Sequence, residues 1–328
     1  MLWLKSWVKW AFYKAFPAAM TEEAQETDLG HTSVLLQETI DGLALSAGKV
    51  AIDATTGGGG HTQALAQAVG PKGTVLAIDR DTDNIARARK RLTNLQAEIH
   101  FVLGNFRDIE ALAQKAGITA ADAIVFDLGW SSFHLDSGRG FSFKQDEPLL
   151  MTYEATPSSE TLTAKEIVNT WEEEHIADIL YGFGEERFSR RIARAIAAAR
   201  KEQSIETTGQ LVAIIESAVP GWYKHGKIHP ATRTFQALRI AVNDELEALE
   251  RGLSGALSLL ANSGRIAVIS FHSLEDRIVK RFFKDKQADG WGEICTKRPI
   301  TASREEIQQN PRSRSAKLRI FTRITEAP

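Results

Sequence analysis

From residue 50 to about residue 128, short apolar runs alternate with helix-patterned segments, and this alternation narrows the fold more than anything else in the chain. "KVAIDA" (49–54) reads as a buried strand, "HTQALAQAV" (61–69) as a helix and "GPKG" (70–73) as a turn. "TVLAIDRD" (74–81) is the next strand, followed by a basic helix, "NIARARKRL" (84–92). "EIHFVLGNF" (98–106) and "ADAIVFDLG" (121–129) complete four strands. Strands of this kind, separated by helices, pair in parallel through right-handed crossovers and give a doubly wound α/β sheet.

After Gly129 the rhythm fails. The next comparable strand is "GRIAVISFH" (264–272), more than a hundred residues on, where an ordinary crossover takes a few tens of residues. The gap is rich in helix formers: "AKEIVNTWEEEHIADILY" (164–181), "EERFSRRIARAIAAARKE" (185–202) and "TTGQLVAIIESAV" (207–219). An all-helical domain inserted into the sheet accounts for it. We place a first sheet part at residues 31–135, the insert at 136–231 and a second sheet part at 232–328. That last part opens with one long helix or two (232–260) and closes with a strand, "AKLRIFTRI" (316–324).

Residues 1–30 stand apart as an extension. Its first 16 residues hold three of the seven tryptophans, with Lys5, Lys9 and Lys14 among them, so the segment is neither a signal-peptide core nor an integral membrane span. Trp3, Trp7 and Trp10 share one helical face, which suits peripheral contact with a membrane or a partner, or packing on the protein itself. The one cysteine, Cys295, excludes internal disulfides and a Cys-rich zinc site, and no other metal site is expected. That composition fits a reducing cytoplasm. The net charge of −2 does not by itself point to nucleic acid, but totals hide patches.

The four glycines 57–60 follow Asp53 at a strand-to-helix joint, where a ligand approaches main chain. The dinucleotide pattern needs a glycine at the sixth position, and Thr62 stands there. Asp79, at the end of the second strand, can accept hydrogen bonds from ribose hydroxyls. Asp53 is placed to hold an ammonium group, Asn105 and Phe106 to meet an adenine, and Asp127 to lie where cofactor and substrate join. Both NAD and S-adenosylmethionine suit these strand ends.

Longer strings carry a resemblance. "HTSVLLQE" (31–38), "GGGGH" (57–61), "DLGWSS" (127–132), "YGFGEERFSRRIARAI" (181–196), "HPATRTFQALRIAVNDEL" (229–246), "ISFHSLEDRIVKRFF" (269–283) and "NPRSRSAKLR" (310–319) resemble the RsmH (MraW) family. Its members are S-adenosylmethionine-dependent methyltransferases that act on the N4 amine of one decoding-centre cytosine in the 16S rRNA of the small ribosomal subunit. The resemblance implies a Rossmann-like methyltransferase sheet with its helical insert, and S-adenosylmethionine as cofactor. It also implies cofactor contacts at Gly59, Gly60, His61, Asp79, Phe106, Asp127 and the position of His134. The family pattern has glutamine where this chain has His134, and "PLDMRMD" where it has "PLLMTYE" (148–154), which loses an aspartate and an arginine.

Such a reaction needs no metal and no covalent intermediate; alignment supplies most of the rate. Cytosine's exocyclic amine is a poor nucleophile, so an acceptor for its protons helps, and Asp127 is the candidate catalytic residue. Trp130 or Phe133 could stack on a base drawn out of its helix. Basic residues supply the RNA-binding candidates: Lys227 and Arg233, then Arg312, Arg314 and Lys317 in a segment without acids. Another cluster, Arg187 to Lys201, reads equally as a solvated helix face. In "ISFHSLEDR", Ser273 is expected to cap a helix with Asp276 completing the capping box. An NAD-dependent oxidoreductase and a non-catalytic rRNA-binding assembly factor remain the alternatives, and a homodimer is left open.

Overall fold

The computed structural model describes residues 33–129 and 132–324. The tryptophan-rich extension, Trp130 and Ser131 lie outside the described residues. Thr32–Pro328 forms one compact unit.

A helix α1 (Leu36–Leu43) precedes the sheet. Then come β1 (Val50–Asp53), α2 (Gly60–Val69), β2 (Thr74–Asp79), α3 (Thr82–Arg91), β3 (Glu98–Leu103), α4 (Ile109–Lys115), β4 (Ala121–Asp127) and a four-residue α5 (Ser132–Leu135). Helices fill the next stretch: α6 (Ala164–Thr170), α7 (Glu173–Gly182), α8 (Ser189–Glu202), α9 (Thr208–Ala218), α10 (Gly221–Lys224), α11 (Thr232–Asn243) and α12 (Glu245–Leu259). The chain finishes with β5 (Leu260–Ser270), α13 (Ser273–Ala288), β6 (Gly292–Ile294), α14 (Arg304–Gln309) and β7 (Lys317–Arg323).

The sheet order is β3-β2-β1-β4-β5-β7-β6. The first five strands run parallel; β7 pairs antiparallel with β5, and β6 antiparallel with β7. The α/β expectation holds. The three-residue β6 carries too short a pattern to be read in advance.

Alternation along each strand divides two cores. Ile52, Leu76, Ile124, Phe126 and Val268 pack under α4, α12 and α13, whereas Ala51, Val75, Val125 and Ile269 pack under α1 and α2. The strand order reverses between β1 and β4, so the carboxyl ends of those strands border the crevice in which open α/β sheets bind ligands.

The helices beyond β4 gather round a third core that includes Leu149, Ile167, Ile192, Leu211 and Ile215. It also includes Phe235, Ala237 and Leu238, so α11 packs with the helical group although the sequence pattern ends the insert at residue 231. The return to the sheet comes at Asp244, whose φ of 50° separates α11 from α12. Two helices therefore occupy residues 232–260. The helix-rich stretch 164–181 also forms two helices, because Trp171 is extended and Arg200 donates to the carbonyls of Val168 and Trp171.

Candidate active site

The loop after β1 is strung between three acids. Asp53 is fully buried; its Oδ2 accepts the Thr62 hydroxyl at 2.6 Å and its Oδ1 the Thr55 N–H at 3.1 Å. Burial raises its pKa, with His61 and these hydrogen bonds opposing. The sequence pattern gives Asp53 to a cofactor ammonium. Its Oδ1 ties the loop, and its Oδ2 the first turn of α2, to the end of β1.

Asp79 lies at the tip of β2. Its Oδ2 accepts the Gly57 N–H at 2.7 Å, its Oδ1 the Asp81 N–H at 2.9 Å, and Asn84 donates to both oxygens. Burial raises this carboxyl too, against those N–H groups. Gly59 has φ 84° and precedes α2. Gly60 leaves no room for a side chain, since a Cβ there would sit 1.9 Å from Ser33 Oγ. Bare backbone is therefore a packing requirement at that point as well as an opening for a ligand.

Asp127 ends β4, and its N–H donates to Thr55 Oγ1 at 2.7 Å. Its Oδ2 lies 3.4 Å from His61 Nδ1, while its Oδ1 is buried with no hydrogen-bond partner among the described residues. Thr56 Oγ1, in the same loop, is likewise buried and unpaired among them. Buried polar atoms in native proteins are nearly always satisfied, so two orphans in one cleft mark a place for a ligand.

Past the ends of β2 and β3 opens a cavity of about 420 Å³, lined in part by Arg80, Leu103, Gly104, Asn105, Glu154 and Asn243. Asn105 caps the turn that follows β3 by accepting the Arg107 N–H. Phe106, half-buried, sets its ring edge-on to Phe126 at 5.6 Å and packs on Gly252 of α12.

Asp81 caps α3 and is fully buried. Its Oδ2 lies 2.7 Å from an Arg139 nitrogen and 3.3 Å from His134 Nε2. Burial favours its neutral form, but His134 and Arg139 outweigh that and hold it well below the usual carboxylate range. The His134 ring packs against Phe141 and Tyr153, at 5.2 and 4.9 Å, and those two rings stack on each other at 5.4 Å. Gly59, Gly60, His61, Asp79, Asp127 and His134 are thus gathered at the ends of β1, β2 and β4.

Residues 28–324 match the family model described as the MraW methylase family. The chain belongs to the MraW methylase family. A relative in Oceanobacillus iheyensis is 46% identical over 312 residues, covering 90% of this chain and 95% of its own. One in Deinococcus deserti is 50% identical over 296 residues, covering 90% and 93%. Both are named ribosomal RNA small subunit methyltransferase H. The NSun6 structure from Pyrococcus horikoshii has a TM-score of 0.45 at 12% identity, covering 95% of this chain and 57% of that one. The chain is a methyltransferase, and the oxidoreductase alternative falls.

The departures from the family pattern cluster beside this cleft. In "PLLMTYE", Tyr153 donates its hydroxyl to Glu245 at 2.9 Å, and Glu245 accepts two hydrogen bonds of 2.8 Å from Arg239. Arg239, Asn243 and Glu245 are site neighbours that lie within the string 229–246 but are given no role by it. The available signal is three polar residues inside a buried helical stretch. Glu245, His272 and Glu275 come close enough to suggest a cation site, but Arg239 and the cap of α13 already engage both glutamates.

Capping of α13 differs from expectation by one residue. His272 is the cap and Glu275 completes the box; Ser273 donates to Glu185, and Asp276 pairs with Arg319 at 2.7 Å and Lys317 at 3.2 Å. The acid missing from "PRSRSAK" is thus supplied by α13, and Lys317 has its charge met within the protein. Arg312 is half-buried and within the field of Asp127, whereas Arg314 is exposed. Lys227 is exposed, and Arg233 donates to the Glu185 carbonyl at 2.9 Å. Phe133 lies under the Arg87 guanidinium, 4.3 Å from ring centre, which covers one face of the expected stacking platform. Among the described residues no helix is long and apolar enough to cross a membrane.

Proposed function

We propose that this enzyme methylates the N4 amine of a decoding-centre cytosine in the 16S rRNA of the small ribosomal subunit, in the cytoplasm. The observation that carries this reading is Asp127 Oδ1, a buried acceptor at the tip of β4 without a partner among the described residues. The names of the relatives supply the substrate class.

The cleft fits S-adenosylmethionine. The loop 54–60 presents bare main chain and the orphan Thr56 hydroxyl, Asp79 offers carboxylate lone pairs for ribose, and Asn105 borders the cavity past β3. When bound, the cofactor supplies an electrophilic methyl group on sulfur, which keeps the C–S electron pair as the new N–C bond forms. The protein's own part is to align the amine and remove its proton. Asp127 Oδ1 accepts a hydrogen bond from the amine, which concentrates the lone pair on nitrogen, and then takes the proton that the methylated nitrogen sheds. Lys227, Arg233, Arg312, Arg314 and Lys317 border the approach of the RNA, with Arg314 and Lys227 the most available to phosphate.

The test uses small subunits that lack the modification. Nuclease digestion and mass spectrometry should find N4-methylcytosine at one decoding-centre position after incubation with enzyme and S-adenosylmethionine. Asp127→Asn should lose about 10²–10⁴ in kcat at saturating cofactor. Cofactor binding with no methylcytosine on any subunit preparation would refute the reading.

A further inference from the structure

We propose that His61 is a positioning residue for methyl transfer: it holds Oδ2 of Asp127 so that Oδ1 is set for the target amine. This rests on the reading of Asp127 as the proton acceptor and adds the group that orients it.

His61 is the second residue of α2, 4% exposed, with Nδ1 3.4 Å from Asp127 Oδ2. The backbone beneath it has little freedom, because Gly60 rests against Ser33 and Thr62 is tied to Asp53. A ring held this way restrains rotation of the carboxylate about its last torsion, which is otherwise broad. One oxygen is engaged, and the other is left buried without a partner among the described residues.

Charge points the same way. Burial alone disfavours an imidazolium, but Asp127, Asp53 and the Val34 carbonyl outweigh it and raise the pKa of His61. Asp53 and Asp127 repel one another, and His61 faces both. The charge of Arg312 also reaches Asp127. In the transfer itself, the proton leaves the target nitrogen for Asp127 Oδ1 and the N–H electron pair stays on nitrogen, while the proton on His61 Nδ1 does not move.

The experiment compares His61→Ala, His61→Asn, Asp127→Asn and the His61→Ala/Asp127→Asn double variant on small subunits. It measures cofactor Kd by calorimetry and kcat at saturating cofactor. His61→Ala should lower kcat at saturating cofactor about 10²-fold, the scale of a reacting group displaced by an ångström. His61→Asn keeps an N–H donor and should recover part of the rate. In the double variant the second change should add little. An unchanged kcat, no recovery by His61→Asn, a loss confined to cofactor Kd, or full additivity would overturn the proposal. Asp127→Asn at full rate is a separate outcome: it removes the acceptor reading, and His61 then has nothing to position.

Discussion

The buried carboxylate of Asp81 faces Arg139 and His134 at once, and Arg139 also donates to the Tyr153 carbonyl at 2.8 Å. This guanidinium joins the tip of β2 to the start of the helical region. Removing it leaves a charge buried against a single partner, so Arg139→Ala should cost about 3–5 kcal/mol in urea unfolding at neutral pH. The folded pKa of Asp81 lies below its unfolded value, so this pairing stabilises above about pH 4 and is lost as pH falls through the folded pKa. The gap between wild type and variant should therefore narrow in acid; a gap that is constant down to about pH 3 would show that packing, not charge, sets the loss. None of this could be read from the chain. "DRD" reads as the end of a strand, and its meeting with Arg139 needs the fold.

At the scale of an element, the start of α13 shows how two registers compete. Ser273 with Asp276 and His272 with Glu275 both satisfy the three-residue spacing of a capping box. The choice is made by neighbours: Glu185 takes the serine hydroxyl, and Arg319 and Lys317 take Asp276. That leaves His272 and Glu275 to close the helix end. His272→Ala should cost about 1 kcal/mol by thermal unfolding, the usual effect of removing a cap, while Ser273→Ala should cost much less. Equal losses would mean that the cap is shared. Helix breaks follow the same logic, because Arg200 ends α6 from another helix and Asp244 turns the chain back by itself.

For the whole molecule, a net charge of −2 leaves RNA affinity to the distribution of cations. Arg200 and Arg319 look basic in sequence but are engaged within the protein, whereas Arg314 and Lys227 are exposed. Replacing both exposed residues with Gln should reduce the slope of log K against log salt by about 0.7–0.9 for each phosphate no longer neutralised, and Arg200→Gln should leave it unchanged. Fluorescence anisotropy across a salt series measures both; an Arg200 effect as large as the pair's would refute this division.

The alternation of apolar runs was enough to specify the parallel half of the sheet, and the glycines and strand-end acids marked its ligand edge. Those features are local, since burial imposes its period on neighbouring residues. The antiparallel β6–β7 edge, the membership of α11, the use of Asp53 as a loop anchor and the approach of His61 to Asp127 were decided only in three dimensions. Each depends on which groups from distant segments arrive within a few ångströms of one another, and the spacing of residues along a chain does not encode that distance.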